Sequence, residues 1–146
     1  MTCSQELWRR AGHSRENSFI HHTTKKEAFM PHLSTALRTG SLLFLSGQLA
    51  FDDQGKIHGD ASEQTALILA RHADVLAQHG LGLENVVKAN AWVTEQADFA
   101  SFDQAFAKAF GQHRPTRSTV VSQLAVNGAK VEIDLIASFE PIHAQA

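Results

Sequence analysis

From residue 35 to residue 139 the chain alternates short β-type runs with two helical stripes. Leu42-Leu43-Phe44-Leu45 is a continuous apolar run between Thr39-Gly40 and the turn-forming Asp52-Asp53-Gln54-Gly55-Lys56. Ser41 to Leu49 is therefore predicted to be a buried strand. Thr35 to Arg38 forms the strand before it, and Arg38-Thr39-Gly40-Ser41 the turn. Ala61 to His79 reads as a helix. Asp60 or Ser62 caps its start, Gly80 closes it, and Ala66, Leu69, Ala70, Ala73, Leu76 and Ala77 form the apolar stripe. Asn85 to Thr94 alternates, with Val87, Ala89, Ala91 and Val93 on one face and Lys88, Asn90, Trp92 and Thr94 on the other. A second helix runs from about Asp98, its cap, to Phe110 and ends at Gly111; its core stripe is Phe99, Phe102, Phe106 and Phe110.

Two last strands, Arg117 to Leu124 and Ala129 to Phe139, flank Asn127-Gly128, a strong hairpin signal. In the register that turn implies, 124 pairs with 131. Ser118, Val120, Ser122 and Leu124 then join Val131, Ile133, Leu135 and Ala137 under the helices. Arg117, Thr119, Val121 and Gln123 share the opposite face with Glu132, Asp134, Ile136 and Ser138. The order strand-strand-helix-strand-helix-strand-strand predicts an α+β layer, one sheet with two helices on one side. The other face mixes aliphatic and charged groups and has no element left to cover it, so it is expected to meet another subunit.

A chain of 146 residues suits one domain, with residues 1–18 as a polar, aperiodic leader and 19–146 as the folded unit. Trp8 is the only large aromatic in that leader able to pin it to a surface. The net charge of −2, with no Lys/Arg block, gives no electrostatic footprint for nucleic acid. The single cysteine, Cys3, excludes an intrachain disulfide and a zinc–cysteine cluster. Neither a membrane-length apolar run nor a secretory signal is visible, so a cytoplasmic protein is expected. Nine histidines raise the question of a metal, but no HExxH or Cys/His spacing exists, and surface histidines are the better account.

The chemistry-bearing residues are few. Arg117 has the planar fork that grips a carboxylate. Glu132, at a polar position of an apolar strand, could hold a water and manage its protons. Ser46 offers a hydroxyl, and Gly47 a bulge or a close approach of backbone. In the hairpin register Arg117 stands opposite Ser138, so Arg117 and Glu132 lie about 20 Å apart along the strands. One small acid cannot touch both across that span, so either the register is not that of a simple hairpin or Arg117 of one chain meets Glu132 of a neighbour.

Ser46-Gly47-Gln48, Gln64, Val87-Lys88, Asp98-Phe99, Arg117-Ser118 and Val131-Glu132-Ile133 together resemble the Rid (YjgF-type) family of reactive intermediate, or enamine/imine, deaminases, over residues 30 to 139. The resemblance implies a chorismate-mutase-like α+β fold and a homotrimer with clefts between subunits. Arg117 of one chain meeting Glu132 of a neighbour agrees with such clefts and is the expectation. It implies hydrolysis of 2-imino or 2-enamino acids to 2-oxo acids and ammonia, with no metal and no organic cofactor. By the same resemblance Arg117 is the carboxylate-binding arginine, Glu132 the water-positioning glutamate and Ser46 a site serine. Thr119 stands where many members have cysteine, and Asp103 near a position often asparagine. Met30-Pro31-His32-Leu33 occupies the region where the family often has Gly-Pro-Tyr. The chain has no tyrosine, so His32 is the candidate for that place. Two alternatives stand beside the deaminase reading: a trimer that binds a small carboxylate without turning it over, and a deaminase specialised for an aminomuconate-type intermediate. Nucleic-acid cleavage, sometimes ascribed to the family, is disfavoured by the charge balance.

Overall fold

Gly40 makes the first turn possible: its positive φ of 56° lets a two-residue link join strand β1, Ala36–Thr39, to β2, Leu42–Gln48, in an antiparallel hairpin with Thr39 opposite Leu42. The computed structural model describes residues 32–143. The expected leader, residues 1–18 with Trp8, and residues 19–31 of the expected folded unit lie outside the described residues.

Helix α1 spans Ala61–Gln78. Asp60 caps it in a reciprocal box: the Glu63 amide donates to Asp60 Oδ1 at 2.9 Å, and the Asp60 amide to Glu63 Oε2 at 3.0 Å. At the other end Gly80 turns left-handed, and the amides of Gly80 and Leu81 return to the carbonyls of Ala77 and Leu76. Strand β3, Val86–Val93, leads through helix α2, Phe99–Phe110, to strand β4, Thr116–Val121; β5 is Val131–Ser138. The sheet order is β1-β2-β5-β3-β4, mixed, with β3 and β4 parallel. Phe102, Phe106 and Phe110 of α2 and Ile68, Leu69 and Leu76 of α1 pack on Leu43, Leu45, Ala89, Ala91, Val131, Ile133 and Leu135. Full burial of a side chain the size of Phe102 contributes about 2–3 kcal/mol.

The expected hairpin between the last two strands does not form. β3 lies between β4 and β5, and Asn127-Gly128 is a local turn within the connection 122–130. The reason is the crossover: β3, α2 and β4 form a parallel βαβ unit, which sets β4 on the outer edge of β3 and takes it out of reach of β5. The faces of β4 therefore reverse. Arg117, Thr119 and Val121 pair with Ala89, Ala91 and Val93 and lie on the helix side, while Ser118 and Val120 lie on the open face.

Three smaller expectations also change. On α1 the buried face is Ala61, Gln64, Thr65, Ile68, Leu69, His72 and Leu76, whereas Ala66, Ala70 and Ala77 are exposed. Alanine is tolerated on either face, and Gln64, Thr65 and His72 are buried because each side chain finds a backbone partner. A register shift between Val86 and Lys88 takes Val87 off the core face. The Asp98 carboxylate does not cap α2; it takes a hydrogen bond from Lys130 Nζ at 2.9 Å instead. Phe99, at the head of the aromatic stripe, is exposed.

The face away from the helices carries Leu37, Phe44, Ile136, Trp92 and Val120 beside Lys88, Asn90, Asp134 and Glu132. Phe44 is 41% and Val120 51% exposed, so among the described residues nothing covers this half-apolar surface.

Candidate functional site

Glu132 is the centre of one cluster. β5 carries it on the open face directly opposite Trp92, and β2 reaches it through a bulge. The β2–β5 register shifts between Leu45 and Gln48, which puts Ser46-Gly47 in the irregularity, where a glycine in a strand is expected. The Glu132 carboxyl lies flat against that backbone. A Cβ placed on Gly47 would stand 3.2 Å from the carboxyl carbon, and nearer still to Oε1. Half-burial pushes the Glu132 carboxyl above the usual glutamate range, and repulsion from Asp134 adds to the shift. Among the described residues no cation pairs with it. Glu132 and Trp92 line an open pocket of about 200 Å³ together with Ser122, Gln123, Leu124 and Ala125, the first part of the β4–β5 connection. The Ser46 hydroxyl donates to the Ser34 carbonyl at 2.6 Å, which fixes its direction.

Arg117 is the centre of the other. Its Nη2 donates to Asp103 Oδ1 at 2.6 Å, and its guanidinium lies 5.1 and 4.7 Å from the ring centroids of Phe102 and Phe106. Stacking and ion pair together pre-set the fork. With Asp103, Phe106, Phe110, His113, Arg114 and Pro115 it lines a cavity of about 470 Å³ at the C-terminal end of α2. The His113 ring bonds the Val86 carbonyl at 2.6 Å through Nε2, a structural tie.

Of the residues singled out in the sequence, Glu132, Gly47 and Ser46 come together, and so do Arg117 and Asp103. Thr119 sits two residues beyond Arg117 on the same side of β4, opposite Ala91. His32 is exposed at the start of the described residues. The two clusters occupy opposite faces of the sheet. Arg117 and Glu132 are two strands and three residues apart, about 14 Å between backbones. The sequence-derived geometry, which set both on one face about 20 Å apart, is thus corrected, while their separation within one chain stands. Trp92, residues 122–125, His113 and Arg114 were not singled out. The polar face of β3 held the signal for Trp92; nothing local marked 122–125. The histidines also need correction: His72 is fully buried, its Nε2 donating to the Ile133 carbonyl at 2.8 Å with no partner for Nδ1. Burial holds its pKa below the usual histidine value. Among the described residues no group of three or more His, Cys, Asp or Glu is arranged to hold a metal ion.

The family model described as Endoribonuclease L-PSP matches residues 24–139. The chain belongs to the YjgF/RutC/Rid family. Its two helices on a five-stranded mixed sheet are the family's chorismate-mutase-like fold. Protein mmf2, mitochondrial, of Schizosaccharomyces pombe is 36% identical over 106 residues, which cover 70% of this chain and 84% of that protein. Reactive Intermediate Deaminase A, chloroplastic, of Arabidopsis thaliana is 34% identical over 119 residues, 80% of this chain and 63% of the relative. Among solved structures, that of E. coli TdcF with bound serine aligns at a TM-score of 0.69 and 30% identity, covering 77% of this Rid-family chain and 91% of the other. No helix among the described residues is long and apolar enough to cross a membrane. Two of these relatives carry organellar names, one mitochondrial and one chloroplastic.

Proposed function

We propose that the chain is a deaminase that hydrolyses small 2-imino or 2-enamino acids to 2-oxo acids and ammonia, at clefts between the subunits of a homotrimer. The observation that carries the reading is Glu132: a half-buried carboxylate with a raised pKa, pressed against the Gly47 backbone and facing a small open pocket. A raised pKa makes the carboxylate a stronger base toward a water held beside it. Arg117 supplies the anchor for the substrate carboxylate. The half-apolar open face supports association of copies, which is what a site shared by the two clusters requires.

In the reaction, water adds to C2 of the imine while Glu132 accepts its proton. The proton passes to the nitrogen, and the carbinolamine collapses to a ketone and ammonia. No electrons leave the substrate, so the chemistry calls for positioning and proton transfer alone. Ser46 and the backbone near Thr119 are assigned to the substrate nitrogen and the water. Gly47 gives the Glu132 carboxylate the room to lie against the strand, and His32 is assigned to the mouth of the cleft.

The test is release of 2-oxo acid and ammonia from imines generated in situ from several amino acids, with Glu132→Gln and Arg117→Lys beside the wild type. Acceleration lost in Glu132→Gln is the expected result. A binding module without turnover is favoured by one observation, the serine held by TdcF. Such a module keeps ligand affinity in Glu132→Gln and accelerates no imine, including an aminomuconate-type one.

A further inference from the structure

Arg117 does not present a bare positive charge. The Asp103 carboxylate is hydrogen-bonded to it at 2.6 Å, and the two side chains form one wall of the 470 Å³ cavity. Only Nη2 of the guanidinium is engaged among the described residues, which leaves further N–H donors of the fork. On Asp103 only Oδ1 is engaged, and the side chain is 49% exposed. The wall therefore offers donors and an acceptor side by side, with a net charge near zero. The Phe102 and Phe106 rings beneath the guanidinium keep it from swinging away from Asp103.

We infer that Asp103 is a specificity-determining residue that makes the Arg117 site select acids bearing a protonated nitrogen next to the carboxylate. This rests on the reading of Arg117 as the carboxylate anchor. An α-amino or α-iminio acid carries its nitrogen on the same carbon that bears the carboxylate. One molecule can therefore lay its carboxylate on the free edge of Arg117 and its nitrogen on Asp103 Oδ2. A 2-oxo acid of the same size has the carboxylate but turns a carbonyl oxygen toward Asp103, where two acceptors face each other unpaired. A 2-oxo dicarboxylate turns the same carbonyl oxygen toward Asp103, while its second carboxylate has Arg114, which lines the same cavity, within the site. The same preference favours turnover: the iminium substrate is held, while the 2-oxo acid product is left with an unfavourable contact and departs.

The experiment is calorimetric titration of the full chain with alanine, pyruvate and oxaloacetate, and of Asp103→Asn with the same three ligands. Asparagine at this position can donate as well as accept. The wild type is expected to bind alanine about tenfold or more tighter than either 2-oxo acid, a difference of about 1.4 kcal/mol. In Asp103→Asn the preference for alanine collapses and both anions gain. Pyruvate binding as tightly as alanine in the wild type overturns the inference without need of the variant. So does an unchanged ranking in a folded Asp103→Asn. The deaminase reading fails separately: selective alanine binding with no imine hydrolysis upholds the role of Asp103 and removes the reaction. Hydrolysis without ligand selectivity does the reverse.

Discussion

Gly47→Ala separates the fold from the proposed chemistry. The φ of Gly47 lies outside the left-handed region, so alanine is permitted by the backbone; the obstacle is the Glu132 carboxyl alone. The new methyl would overlap Oε1 and stand 3.2 Å from Cδ and 3.4 Å from Cγ. These atoms are the far part of a flexible side chain, and Glu132 relieves the overlap by rotating out toward solvent. The stability cost is therefore that of one shifted rotamer, about 1 kcal/mol. The displacement of the carboxylate is on the order of 1 Å, and a misplacement of that size costs about 100-fold in rate. Chemical denaturation and imine hydrolysis are measured on the same preparation. The expectation is a midpoint near that of the wild type with kcat reduced about two orders of magnitude. Full activity in Gly47→Ala would refute the contact as the positioning device. Gross unfolding would show that Gly47 serves the sheet itself.

His72 is held neutral in the folded state by burial, with its pKa below the reference of 6.5, so the unfolded chain binds the proton more tightly. Its contribution to stability is complete above about pH 6.5 and is lost as pH falls from there toward the folded value, by up to about 1.4 kcal/mol per pH unit. Urea midpoints at pH 5 and pH 7.5 should differ less in His72→Leu than in the wild type; equal differences would contradict this. Gln64 donates to the carbonyls of Gly59 and Gly128 and accepts from the Lys130 amide, so Gln64→Ala strands three part-buried backbone groups on two segments. The loss should be about 2–4 kcal/mol by denaturation, and a change under 1 kcal/mol would contradict it.

The elements that pack locally were legible in the sequence: the α1 caps, the phenylalanine stripe of α2 and the alternation of β5 follow from neighbours a few residues apart. The partner of β4 was not. Thr116–Val121 carries similar polarity on both faces, so its pattern sets no unique orientation, and Asn127-Gly128 signals a turn without saying which strands it serves. That one ambiguity reversed Arg117 relative to Glu132. The Arg117–Asp103 pair was likewise out of reach, because it depends on α2 lying over β4. Glu132 beside Gly47 depends on the register of β2 with β5, which a bulge shifts by one residue.

The claim most exposed to test is that Arg117 and Glu132 serve one site from different subunits. Glu132→Gln and Arg117→Lys chains, each inactive alone, can be unfolded, mixed in equal amounts and refolded together. Random assembly of trimers should restore imine hydrolysis to about a quarter of the wild-type rate, because about one site in four receives an intact Arg117 from one chain and an intact Glu132 from its neighbour. A mixture no more active than its parents, although mass spectrometry shows mixed trimers, would contradict the shared site.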